Sequence, residues 1–270
     1  MAKYKKKRAR ELKQDKFRDW TLKFFDQVGD RLEGKGTAIL YGLGGIIVVA
    51  VLVAFFLKWS HRRSDEARLA MGRAITIASA PVSATGPVTP TSGPSFSNPQ
   101  ERAQRAIDIF QQVADKYGDP YRTEARYFVA TNLLLVDRNK ALAELTALTK
   151  SSDGNVAALS KFALAQALET DAKYDDAATL YRELAAQSGG VVTPETANLR
   201  LAIVYKMQGK KKEASDILFN IVDAARKAKD SEGNAQQQSQ AARDAAQELQ
   251  KVDPERYAQL PPEAPPNLPF

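Results

Sequence analysis

From residue 99 onward the apolar positions recur at intervals of three and four, with polar residues between them. The stretch "AKYDDAATLYRELA", residues 172–185, puts Ala177, Tyr181 and Leu184 on one side of a helix. The same skeleton, an alanine followed by a large apolar residue four places on and another three places later, occurs as Ala106/Phe110/Val113, Ala141/Leu145/Leu148 and Ala214/Leu218/Ile221. Period-3.6 spacing of this kind predicts amphipathic helices. The four alanines lie 35, 36 and 37 residues apart, so the helices belong to a repeat.

A second helical pattern stands about a dozen residues upstream of three of the copies, clearest as Leu164-Ala165 with Leu168 and as Leu201-Ala202 with Tyr205. A small residue lets two helix backbones approach while the large one fills the groove between them. The unit is therefore helix, turn, helix, and the chain resembles the tetratricopeptide family at these positions, whose period is roughly 34 residues. Lys161 and Asn198 stand where that family has an aromatic near the start of the first helix, with Phe162 and Leu199 one place on. Asn132 stands where an aromatic or leucine is usual. The resemblance implies an all-α array with a peptide-binding groove formed by the first helix of each pair. In the family's register Arg126, Phe162, Gln166, Leu199, Ile203 and Lys206 point into it.

Breaks between helices are predicted at Gly118-Asp119-Pro120, Ser152-Asp153-Gly154, Gly189-Gly190 and Gly209. A Pro- and Ser-rich stretch, residues 80–99, is expected to be an unpacked, mobile insertion between the two helices of the first pair, whose first helix is residues 64–78, or else a linker dividing a stalk from the domain. An Ala- and Gln-rich helix near 237–251 is expected to cap the stack, because a terminal repeat needs a polar outer face. The array is read as residues 58–252, and the Pro-rich tail, residues 253–270, as extended and unpacked.

Ahead of the array the pattern changes. No charged residue occurs between Lys35 and Lys58, and residues 37–57, "TAILYGLGGIIVVAVLVAFFL", are apolar on every face. A membrane span needs about 20 such residues, so the segment predicts a single transmembrane helix. The nearest small-x-small site, Ala78-Ser79-Ala80, lies far past its end, which favours an uncleaved anchor over a signal peptide. The "GLGG" within it lacks the strand and helix that a dinucleotide-binding turn requires.

The formal net charge of +7 resolves into two halves: residues 1–63 carry 15 Lys or Arg against 6 Asp or Glu, and residues 64–270 carry 24 against 26. The array has no basic excess for phosphates, which argues against nucleic acid. The basic tail, residues 1–36, predicts a cytoplasmic N-terminus and an array on the other side of the membrane. Within that tail Phe17, Trp20, Phe24 and Val28 share one face of an amphipathic helix. It is expected to lie on the membrane surface or to pack on a partner.

Catalytic chemistry finds no starting point. His61 is the one histidine, cysteine is absent, and the carboxylates fall at helix surfaces and turns. A histidine triad, a thiolate or multi-histidine metal site and a cysteine nucleophile are thereby removed. No cofactor is implied. A basic tail, one anchor and an exported repeat array containing "NLRLA", Asn198–Ala202, together resemble the bacterial ancillary subunit of the SecYEG translocon. That resemblance implies an inner-membrane protein linking the translocon to periplasmic chaperones. Two alternatives stay open: a repeat domain serving cytochrome c assembly or another envelope complex, and a purely structural anchor.

Overall fold

The structure is a computed structural model and describes residues 64–83, 94–229, 231, 233 and 235–263. Nearly all of these fall in one compact unit, Asp65–Phe270. The span expected at 37–57 and the helix carrying Phe17, Trp20, Phe24 and Val28 lie outside the described residues. Among the described residues no helix is long and apolar enough to cross a membrane.

Among the described residues ten helices follow one another: α1 (residues 64–78), α2 (Pro99–Lys116), α3 (Tyr121–Leu133), α4 (Arg138–Leu148), α5 (Gly154–Thr170), α6 (Tyr174–Ala185), α7 (Pro194–Met207), α8 (Lys211–Lys227), α9 (Gln240–Val252) and α10 (Pro254–Tyr257). The only other regular pairings among the described residues are two isolated bridges. From α2 to α9 each helix packs on the next along the chain, and first helices also touch across pairs, α3 on α5 and α7 on α9. At the N-terminal end Arg68 Nε donates to the Tyr121 hydroxyl at 3.0 Å, tying α1 to α3. The described chain is thus an all-α array of helical hairpins.

The repeated skeleton is what closes each hairpin. Ala106, Ala141, Ala177 and Ala214 have no exposed surface, and Phe110, Leu145, Tyr181 and Leu218 are at most 1% exposed. On the facing helices Ala125, Ala165 and Ala202 are equally closed. Alanine against alanine lets the backbones come near enough for the large residues to interdigitate, each adding about 1.5–3 kcal/mol of burial. Ends are set by local chemistry. Asn98, Asp137, Asp153, Thr193 and Ser239 cap α2, α4, α5, α7 and α9 with side-chain oxygens. Pro99 and Pro194 occupy first-turn positions where no N–H is needed.

Two turns within pairs share one geometry. After α5 the chain passes through Ala172 at φ 55°, and after α7 through Gly209 at φ 76°. In each, the following lysine donates its backbone N–H back into the helix, Lys173 to the Leu168 carbonyl and Lys210 to the Tyr205 carbonyl, both at 2.9 Å. Glycine tolerates that left-handed backbone; alanine is strained in it.

Two expectations are corrected. The insertion is not unpacked throughout: Val82 and Phe96 form a parallel bridge, the Ser83 N–H donates to the Phe96 carbonyl at 2.9 Å, and Arg102 donates to the Ala80 carbonyl at 3.1 Å. The two ends of the stretch 80–99 are therefore held to each other by backbone hydrogen bonds and to α2 by the Arg102 side chain, which its Pro/Ser composition does not reveal. The array also does not stop at residue 252. Asp253 caps α10 and accepts from the Ser215 hydroxyl at 2.8 Å, Arg256 pairs with Asp216, and Leu260 is 8% exposed. An Asp-Pro helix start with Tyr257 and Leu260 three apart supplies an apolar side to residues 253–260, and they pack on α8 and α9.

Replacing Ala172 with glycine should remove the left-handed penalty, about 1–2 kcal/mol, less the larger unfolded-state entropy of glycine. The expected result is a gain of about 0.5–1 kcal/mol in urea unfolding, with the helical circular dichroism signal unchanged. A loss of stability would show that the turn does not hold this backbone.

Candidate functional site

At the register position shared by Arg126, Phe162 and Leu199, spaced 36 and 37 residues apart, each side chain packs on the second helix of its own pair, and Arg126 and Leu199 also line open clefts. Phe162 meets Tyr181 of α6 edge-on, with ring centroids 5.8 Å apart and planes at 67°. Leu199 is 7% exposed and shares a buried cluster with Leu218 and Ile221 of α8. Arg126 Nε donates to Glu144 Oε1 of α4 at 2.7 Å, and its terminal nitrogen reaches the same oxygen at 2.6 Å. The reason lies in the one-place displacement of the family's large residue. Phe162 and Leu199 take over the packing that an aromatic one position earlier would provide, and Lys161 turns to Glu183 at 3.0 Å instead.

The other three expected groove residues fare differently. Gln166 is exposed on α5. Ile203, half-buried, lines an open groove of about 410 Å³ between α7 and α9, where Thr196 and Leu199 share its wall and Asp244, Gln247 and Glu248 stand opposite. Lys206 Nζ donates to Glu248 Oε2 at 2.5 Å, closing one end of that groove with an ion pair. The six residues do not form one surface, because Arg126 lines a separate cleft between α2, α3 and α4, of about 730 Å³.

A polar knot that the repeat pattern does not announce joins three helices. Glu169 Oε2 of α5 accepts from the Tyr181 hydroxyl of α6 at 3.1 Å and from Arg200 of α7 at 2.6 Å. Burial pushes the Tyr181 hydroxyl well above the ordinary phenol range, so it stays a donor. Arg200 also lines the α7–α9 groove, and its Nε is buried without a partner. Tyr181 was legible as a large repeat residue. Glu169 and Arg200 were not, since a lone Glu and Arg 31 residues apart carry no spacing signal. Among the described residues no three His, Cys, Asp or Glu gather where they could hold a metal ion.

Two measurements follow from this geometry. Phe162→Ala should lower stability by about 2–3 kcal/mol, below the full-burial range because the ring is half-buried, and should leave capture of a partner at the α7–α9 groove unchanged per folded molecule. Glu248 behaves as an acid-sensitive latch. Its hydrogen bond from Lys206, then that from Lys251, hold its carboxyl below the ordinary glutamate range. A folded value below the unfolded one gives stability that is complete above about pH 4.5 and is lost as pH falls through the folded value. Urea midpoints between about pH 7 and pH 3 should fall less steeply in Lys206→Met than in the parent; identical slopes would deny the latch.

No protein-family model matches the chain, and no curated protein matches it. Among solved structures, the chain is similar to the crystal structure of the nearly identical TPR-like repeats of a kinesin light chain from Podosopora anserina. The identity is 17% and the TM-score 0.44, over 61% of this chain and 90% of that one.

Proposed function

We propose that this protein is a membrane-anchored, non-catalytic scaffold that binds polypeptide through the α7–α9 groove. The observation that carries the reading is the groove itself. Ile203 and Leu199 supply an apolar wall, Thr196 and Gln247 supply hydrogen-bonding groups, and Asp244 and Glu248 supply charge along one open trough between first helices. Apolar anchors beside groups that pair with a backbone suit an extended segment or a partner helix.

In the finer form of the proposal, residues 37–57 anchor the chain in a bacterial inner membrane, the basic tail stays in the cytoplasm and the array works in the periplasm. There it serves as an accessory of the SecYEG translocon, passing emerging chains to chaperones. The charge division between tail and array and the uninterrupted apolar run support this arrangement. Nucleic acid is not a partner in this reading.

Purification of the full chain in mild detergent, with cross-linking at a photoreactive residue placed at position 203, tests both levels. The expected result is capture of translocon subunits or periplasmic chaperones, reduced at least tenfold by Ile203→Lys. Recovery of haem-assembly proteins would replace the translocon assignment, and capture unaffected by Ile203→Lys would remove the groove. Protease added to spheroplasts should degrade residues 64–270 and spare the tail; protection of the array would reverse the orientation.

A further inference from the structure

The cleft between α2, α3 and α4 differs in character from the α7–α9 groove and is built from other helices. One stripe of α3 forms its length: Arg122, Arg126, Val129 and Leu133 at steps of four, three and four. At 1.5 Å per residue the stripe runs about 16 Å, the reach of five extended residues or three helical turns. Ala114 of α2 and Ala143 of α4 flank Val129, leaving an apolar floor with room above it.

The charges around that floor are unequally satisfied. Glu144 is taken by Arg126 at 2.6 Å, Asp115 accepts from Gln111 at 3.0 Å, and Lys140 pairs with Asp137 at 3.0 Å. Arg122 is exposed at one end and, among the described residues, has no carboxylate within ion-pair distance. The lining carries Arg122, Arg126 and Lys140 against Asp115 and Glu144, a surplus of one positive charge, and an incoming acidic group finds an open guanidinium at Arg122. Arginine presents a planar fork that matches a carboxylate in two bonds at once.

We propose that this cleft is a second docking surface, and that its occupant is a short polypeptide segment carrying an acidic side chain at one end and apolar side chains behind it. The acidic group pairs with Arg122, and the apolar chains lie on Ala114, Val129 and Ala143. This surface is independent of the α7–α9 groove, so either can fail without the other.

The test uses the full chain in mild detergent and acetylated, fluorescently labelled peptides of about eleven residues built of Ala and Leu with Glu, Gln or Lys near one end, read by anisotropy. The Glu peptide should bind at least tenfold more tightly than the Lys peptide. Arg122→Glu should weaken the Glu peptide at least tenfold and improve the Lys peptide, and Ala143→Trp, which fills the floor, should weaken Glu and Gln peptides alike. Both positions are exposed, so thermal melts should match the parent; where Arg122→Glu shifts the melt, Arg122→Gln replaces it. Equal binding of Glu and Lys peptides overturns the proposal. So does binding that survives both variants, or binding abolished by Ile203→Lys and not by Arg122→Glu, which would assign it to the other groove. Capture of phosphatidylglycerol vesicles through Arg122 with no peptide binding would make the surface a lipid site and overturn it equally.

Discussion

The contact on which the array depends is the close approach of two helices at an alanine that has no solvent-exposed surface. Ala177 and Ala165, which share one buried cluster, bury little area of their own. Their effect is indirect. With only a methyl on each side, the backbones come near enough for Tyr181 and Leu218 to be sealed completely. A larger residue would hold the helices apart along several turns, so the tolerance at these sites is set by volume and not by hydrophobicity. Because each helix touches mainly its chain neighbours, the stability of the stack is close to a sum over such contacts.

Once the hairpins are closed, polar ties fix how one pair sits on its neighbour. Arg138, at the start of α4, reaches Asp171 at 2.8 Å and the Ala167 carbonyl at 2.6 Å, both at the far end of α5. Gln208, at the end of α7, reaches Asp175 at the start of α6 at 2.8 Å. Both ties span 33 residues, with donor and acceptor exchanged. Glu169 adds a third, between α5 and α7, at a place where the backbones do not themselves pack closely. Partly buried charge-assisted bonds of this kind are directional where hydrophobic contact is not. They define the angle between pairs, and with it the width of the grooves.

Helices, breaks and the repeat were legible in the sequence because they rest on local terms. Alanine spacing, Asp and Asn caps, and Gly or Pro between elements each act within a few residues of where they are read. What was not legible depends on partners distant in sequence. The packing of Phe162 and Leu199 on the second helices was hidden because a one-place shift of the large residue turns the helix by about 100°, enough to bring a groove position against the neighbouring helix. The packed segment after Val252 was hidden by its prolines, although Asp253 and Pro254 are a sound helix start. Leu199 and Ile203 line one groove, and Lys206, farther along the same helix, reaches it through Glu248. Their counterparts Asp244 and Glu248 come from the capping helix, which the repeat pattern does not cover.

The same register shift accounts for where the larger cleft opens. In two of the pairs the shared position is filled by an apolar residue, Phe162 or Leu199, which packs directly on the second helix. In the pair α3–α4 it is Arg126, whose guanidinium must keep some contact with water. Its side chain is 43% exposed and that of Glu144 29%. An ion pair at that depth holds the two helices in register without sealing them, because full closure would strip both charges of solvent at a cost of several kcal/mol. Val129 and Ala143 are consequently left beneath an open space that an aromatic side chain would have filled. A substitution of one residue type at one repeat position thus converts a packing contact into a cleft, with a cation already fixed at its edge.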